Sequence, residues 1–457
     1  MSGDYNWFDL SWAVKPIANL PLPPTPAKGA PALMPYQVAA AQQTFARRHT
    51  YCGHHPGKGK TAIALVASMV HSPTELVVCI CPPGLVAKQW GVQALRWTGL
   101  PWYVADTGDK VRTFFARPNL PARVIVPDSL VDAIPALNRR IATLIVDEAH
   151  RAKSRDAKRT RSIFGFSVNP GLAGYADRII ALSGTPMPNN PVELYPFLKA
   201  SDPAFAGRFS DYCNRFCPPI RLYVGGAFRD VFNRATNYDQ LSHHLRSTSL
   251  IRPRLSDYED QLPPVIEETY AIKTPFSSST ASVESIMQTL EKGGASSENE
   301  SLSRERRTLG EAKAGIVVDV LRVLCEGGDT PVIFCWHKSV ADALGRELQI
   351  PVIHSGVSAD DRARAVQSFV NKEAPAIVCT IMAAGTGIDG LQHRSNLICF
   401  VERDYVPANI EQPIGRVLRM GQSRGVRVIS FTSDHPIDRA IEGILTRKKR
   451  IIADTTE

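Results

Sequence analysis

The sequence predicts an α/β fold: two doubly wound parallel-sheet lobes in tandem, with a mainly helical insertion between them. Three observations carry this reading. Short, continuously apolar runs alternate with helical patterns up to about residue 200; the rhythm then stops; and it resumes after residue 310. Four such runs in the first part, "LVVCI", "RVIV", "TLIV" and "RIIAL", read as strands buried on both faces, which is how parallel strands present themselves. Helical patterns such as "TAIALVASMV" lie between them, giving the βαβ rhythm of a doubly wound domain.

The flanking segments follow from composition. Residues 16–35 are proline-rich and read as an extended entry segment. The stretch "FAGRFSDYCNRFCPPIRLYVGGAFRDVFNR" is rich in aromatic and basic residues and opens the insertion. Residues 291–310, "EKGGASSENESLSRERRTLG", hold few apolar residues and read as a mobile link. "PVIFCW", "PVIH", "AIVCT", "LICFV" and "VRVIS" then supply the second sheet. The expected divisions are an N-terminal extension over 1–30, a first lobe over 31–200, an insertion and linker over 201–310, and a second lobe over 311–457.

At 457 residues and 44% hydrophobic content the chain can bury cores of this size. Its +9 balance suits a polyanionic partner, although surplus surface lysine is an equal reading of charge alone. Five of the nine cysteines, Cys79, Cys81, Cys335, Cys379 and Cys399, sit inside apolar runs as small hydrophobes. Cys213 and Cys217 form a C-x3-C pair with no second pair at zinc-finger spacing. A reduced, cytoplasmic protein is expected; "MSGDYNWFDLSW" lacks the basic-then-apolar pattern of a secretion signal. No apolar run reaches membrane-spanning length.

Chemistry enters with "CGHHPGKGKTAIAL", residues 52–65. Gly57 and Gly59 let backbone amides approach phosphate oxygens, and a helix starting at Thr61 presents its positive end to them. Lys60 can reach the β- and γ-phosphates, and the Thr61 hydroxyl can hold magnesium. The usual pattern has a glycine five residues before Gly59, where His54 stands, so a glycine-rich turn is the alternative. "TLIVDEAH" favours the nucleotide site. A buried strand there delivers Asp147, placed to hold magnesium, and Glu148, placed to deprotonate an attacking water.

With these residues in place, the chain resembles superfamily-2 helicases and translocases of the Swi/Snf type over most of its length. "MPYQ" resembles the adenine-recognition motif, with Gln37 as base reader. "ALSGTPMPNNPVELYPFL" resembles motif III, and "CTIMAAGTGIDGLQ" resembles motif V with Asp389 in place of the usual asparagine. "QPIGRVLRMGQ" is similar to motif VI; it makes Arg416 and Arg419 the expected arginine fingers and adds Gln412 to the nucleotide set. In that branch the phosphate motif commonly reads Asp-Glu-Met-Gly-x-Gly-Lys-Thr, so His54, His55 and Pro56 replace its opening while Gly57, Gly59, Lys60 and Thr61 match. The resemblance implies RecA-like lobes, Mg-ATP in the cleft between them, and DNA as the polymer.

"ICPPGLVAKQW", "RVIVPDSL" and "VIHSGVSADDRARAVQSF" are similar to motifs Ia, Ib and a matching second-lobe segment. With motif V they nominate Lys88, Gln89, Ser129, Ser355, Gly356 and Thr380 as sugar-phosphate contacts, which carry no sequence information. Trp90 reads as the apolar anchor of its helix. "LSHHLRSTSLIRPRLSDYEDQLPP" is similar to the branch's segment with paired basic residues, here Arg252 and Arg254. "FSDYCNRF" and "VGGAF" are similar to annealing-helicase, fork-remodelling members. The expected function is an ATP-dependent motor, acting as a monomer on duplex, forked or branched DNA in replication, repair or recombination. The size fits a bacterial or phage protein. A translocase that displaces bound protein such as RNA polymerase without unwinding, and an ATP-gated DNA clamp, are the alternatives. Arg221, Arg229, Arg234, Arg252 and Arg254 are candidates for sensing a branch, or equally for bracing the lobes.

Overall fold

The computed structural model describes residues 26–69, 75–117, 122–166, 169–224, 227–232, 235–253, 263–275, 282–292, 297–384, 388, 390–419 and 421–456. Arg234, Arg254, Asp389 and the first half of the proline-rich segment lie outside them. Among the described residues nine strands precede residue 252: β1 His49–Cys52, β2 Val77–Cys81, β3 Tyr103–Val104, β4 Arg123–Pro127, β5 Ile141–Val146, β6 Ala176–Leu182, β7 Ile220–Val224, β8 Ala227–Val231 and β9 Leu250–Ile251. Six follow: β10 Val265–Ile272, β11 Val332–Cys335, β12 Val352–Ile353, β13 Ile377–Thr380, β14 Leu397–Phe400 and β15 Val426–Ser433.

They assemble as two parallel sheets, in the orders β3-β4-β2-β5-β6-β1-β9 and β10-β15-β14-β11-β13-β12, with β7 and β8 as a separate antiparallel hairpin. Each large sheet is covered on both faces, as its continuously apolar strands require. Ile63, Leu65, Trp90 and Trp97 pack on one side of the first sheet. Phe197, Tyr212, Phe216 and Leu241 pack on the other. The chain is therefore α/β, with two doubly wound lobes.

The stretch set apart by composition is shared between the lobes. Leu250–Ile251 closes the first sheet beside β1, and Val265–Ile272 opens the second beside β15. Residues 297–310, expected to be mobile, instead begin the helix Ser297–Glu326. Few apolar residues suffice there because they share one face. Leu302 and Leu309, seven apart, are both buried in the second-lobe core. Cys213 and Cys217 are buried packing residues of the first lobe. No described helix is long and apolar enough to cross a membrane.

The helix Pro436–Thr456 belongs to both lobes. Ile437, Ala440, Ile441 and Leu445 pack in the second-lobe core, whereas Ile452 reaches the first-lobe core. Between them the Lys448 ammonium donates to Asn189 Oδ1 of the first lobe at 2.7 Å. The two lobes are thus held against each other, and a cleft remains between them.

Candidate active site

Sheet order puts the chemistry at one edge. β1, β6 and β5 are neighbours, so the segments leaving their carboxyl ends converge where open α/β sheets bind ligands. β1 runs into the phosphate-loop candidate, β5 delivers Asp147 and Glu148, and β6 leads to Ser183 and Gly184. Gly57 and Gly59 both hold positive φ, 78° and 75°, a conformation that glycine adopts without Cβ strain. The helix Lys60–Ser68 starts directly after them.

Lys60 is half-buried and donates to the carbonyls of His54 and His55 at 3.0 and 3.3 Å. Burial lowers its pKa, partly offset by the Glu148, Cys52 and Asp147 charges. The residues that depart from the family pattern are packed as neutral groups. Burial pushes His54 down to about 3 and His55 well below its ordinary value, with Lys58, Lys60 and Arg252 adding to both. With no carboxylate in this lip, Lys58 and Lys60 leave the loop electropositive, which suits an anion.

The carboxylates differ in state. Burial, then the Glu148 charge, raises the Asp147 pKa, while the indole N–H of Trp90 donates to its Oδ2 at 2.8 Å. Burial alone would also raise Glu148. His150, by hydrogen bond and charge, together with Lys60 and Arg416, brings it down instead. Glu148 is therefore held ionised, as a base must be. Its backbone sits at φ 46°, an uncommon conformation for a non-glycine residue at the turn that aims it. His150 Nδ1 lies 3.2 Å from Glu148 Oε2 and 2.8 Å from Ser183 Oγ, so the segment after β6 touches Glu148 through one imidazole.

The cleft measures about 780 Å3. From the first lobe it is lined by Gly57, Gly59, Lys60, Thr61, Asp147 and Glu148. From the second it is lined by Gln412, Arg416 and Arg419. Every expected catalytic residue, and every expected nucleotide residue but one, is thus brought to one cavity. The exception is Gln37. It is wholly buried, its Oε1 accepting from the Met34 N–H at 2.9 Å and its Nε2 donating to the Lys58 carbonyl at 3.3 Å. Pro31, Val92, Gln93, Arg96 and Trp97 also line the cleft.

The expected nucleic-acid contacts form two loop pairs. Cys81 and Pro127 are partners in register, so the segments bearing Lys88 and Gln89, and Ser129, leave the first sheet side by side. Ile353 pairs with Cys379, which sets Ser355 and Gly356 next to Thr380 in the second lobe. Lys88, Ser129, Ser355 and Gly356 are exposed, whereas Thr380 is buried. Lys88 and Gln89 also line the cleft.

Two side chains that the sequence named, Trp90 as a helix anchor and Arg252 as a branch sensor or a brace between lobes, belong to the site itself. Trp90, read as an anchor only, is buried and also orients Asp147. Arg252 is buried and donates to the Gly53 and Gly184 carbonyls at 2.8 and 2.7 Å, tying the phosphate loop to motif III. It braces the site. Arg221 is exposed, 3.8 Å from Asp230 across the hairpin.

Residues 50–283 match the SNF2-related domain, and residues 312–421 match the helicase conserved C-terminal domain. The chain belongs to the SNF2-related family of helicase-like ATPases. Among curated proteins, this SNF2-related chain is 27% identical over 340 residues to the DNA annealing helicase and endonuclease ZRANB3 of Homo sapiens. That alignment covers 72% of the chain and 30% of the human protein. It is 26% identical over 441 residues to the SWI/SNF-related matrix-associated actin-dependent regulator of chromatin subfamily A-like protein 1 of Xenopus tropicalis, covering 92% of the chain and 44% of that protein. The chain spans less than half the length of these relatives. Among solved structures, the Sulfolobus solfataricus SWI2/SNF2 ATPase core in complex with dsDNA overlays 95% of this chain and 94% of that one, at 18% identity and a TM-score of 0.45.

Proposed function

We propose that the chain is an ATP-driven motor that tracks along the backbone of duplex or branched DNA and remodels it, in replication, repair or recombination. The observation that carries this reading is the shared cleft: phosphate loop and carboxylates from one lobe, Gln412, Arg416 and Arg419 from the other. A site divided in this way hydrolyses ATP well only when the lobes close. An opening and closing cleft can drive stepping along a polymer.

Within the cleft, Lys60 and the loop amides hold the β- and γ-phosphates. Glu148 accepts the proton of the attacking water, and Arg416 and Arg419 meet the charge that develops on the transferred phosphoryl group. The Thr61 hydroxyl and the Asp147 carboxylate fit magnesium, both being hard oxygen donors beside the phosphate loop. Magnesium at that place would neutralise phosphate charge. Pro31, Val92 and Trp97 offer an apolar wall for the base, with Gln93 and Arg96 as the polar groups on it. Gln37 supports the loop through the Lys58 carbonyl and reads the base only if it leaves that position. The intact catalytic set speaks against an ATP-gated clamp.

Exposed Lys88, Ser129, Ser355 and Gly356 form the proposed sugar-phosphate track across both lobes. The DNA annealing helicase named above and the +9 charge support DNA as the polymer. ATPase activity is expected to rise with duplex or forked DNA more than with single strands or RNA. Duplex affinity is expected to fall by about 0.9 log units per log salt for each neutralised phosphate, with little sequence preference. Stimulation by RNA alone would overturn the DNA assignment.

A further inference from the structure

The lip His54–Gly57 makes a contact that the phosphate-binding chemistry does not require. Pro56 is enclosed by two glycines, one from each lobe. A methyl group added at Gly184, in the motif III loop of the first lobe, would lie 2.7 Å from both Cγ and Cδ of the proline ring. A methyl group added at Gly415, in the second-lobe helix Ala408–Val417, would lie 2.3 Å from Pro56 Cβ. Beside it, one added at Gly57 would lie 2.8 Å from both Arg419 Cβ and the Leu418 carbonyl oxygen. Both ring-facing glycines have ordinary backbone angles, so what demands glycine at these two positions is the approach of the proline.

We infer that Pro56 is a positioning residue for hydrolysis, a rigid stop against which the second lobe seats so that Arg416 and Arg419 face the phosphate loop. Three features favour a mechanical role. The ring fixes φ and leaves little freedom to yield, so the stop is stiff. The backbone it stands on is itself held, because Arg252 binds both the Gly53 and the Gly184 carbonyls. Gly415 immediately precedes Arg416, so a shift at the contact moves the guanidinium directly. Misplacement of about 1 Å can cost on the order of a hundredfold in rate. Pro56 touches no reacting atom in this scheme; it acts through the seating of the arginines.

The inference rests on reading Arg416 and Arg419 as charges supplied to the phosphates, and the two are tested on different variants. Gly415→Ala should lower DNA-stimulated turnover by about tenfold or more while ATP affinity, followed with a fluorescent ATP analogue, stays within about threefold. Adding Pro56→Gly removes the 2.3 Å encounter and should restore turnover to within about threefold of Pro56→Gly alone. A merely structural defect at Gly415 would not be relieved by a change across the cleft. Melting temperatures identify any variant that fails to fold. Should Gly415→Ala be one, Gly184→Ala with and without Pro56→Ala runs the same cycle on the Cγ and Cδ contacts. Losses that simply multiply in the double variant would overturn the role of Pro56. Normal turnover in Arg416→Ala would instead overturn the arginine reading, whatever the cycle shows.

Discussion

Glu148→Gln is expected to bind ATP within a few-fold of the parent protein and to lose hydrolysis by about 10²–10⁴-fold. The substitution preserves shape and the ability to orient a water but cannot accept its proton. The site favours the ionised form: His150, Lys60 and Arg416 together outweigh the burial that raises the Glu148 pKa. Its left-handed backbone is unchanged by the substitution, so little else should move. Phosphate release measured beside equilibrium nucleotide binding separates the two effects. Near-normal release by the variant would remove Glu148 from the mechanism.

Arg416→Ala and Arg419→Ala should each leave ATP affinity within several-fold yet reduce DNA-stimulated turnover by about 10³-fold or more. Their charges act mainly as the transition state forms, so the loss falls on kcat rather than on binding. Both side chains line the cleft opposite the phosphate loop, and the Arg416 charge is already felt at Glu148. Single-turnover hydrolysis with saturating duplex isolates the chemical step. If both variants hydrolyse ATP normally, the second lobe does not complete the site.

The fold was legible wherever burial was two-sided. Continuous apolar runs gave β2, β4, β5, β6 and most second-lobe strands within a residue or two. Strands lacking that signature were missed: β1 is "HTYC", β9 has two residues, and β10 at the sheet edge is largely exposed. Residues 297–310 read as a link because composition averages over the helix faces, and only the seven-residue spacing of Leu302 and Leu309 marks the buried one. Site residues fixed by local chain geometry, such as Lys60 after Gly59 or Glu148 after β5, were legible from motif spacing. Contacts between distant segments were not. The Trp90 N–H on Asp147, Arg252 on Gly53 and Gly184, and the burial of Gln37 and Thr380 depend on how loops pack, which no local pattern records.

Hydrolysis is proposed to drive movement along duplex DNA, and strand displacement from a triplex measures that movement. A labelled third strand is annealed to a duplex downstream of a loading segment, and its release is followed with ATP and magnesium. Release that requires hydrolysis and fails with Glu148→Gln is the predicted result. Comparison with a forked duplex then shows whether movement also separates paired strands. Robust DNA-stimulated ATP hydrolysis with no release of the third strand would contradict the account, because the cycle would then turn over without translocation.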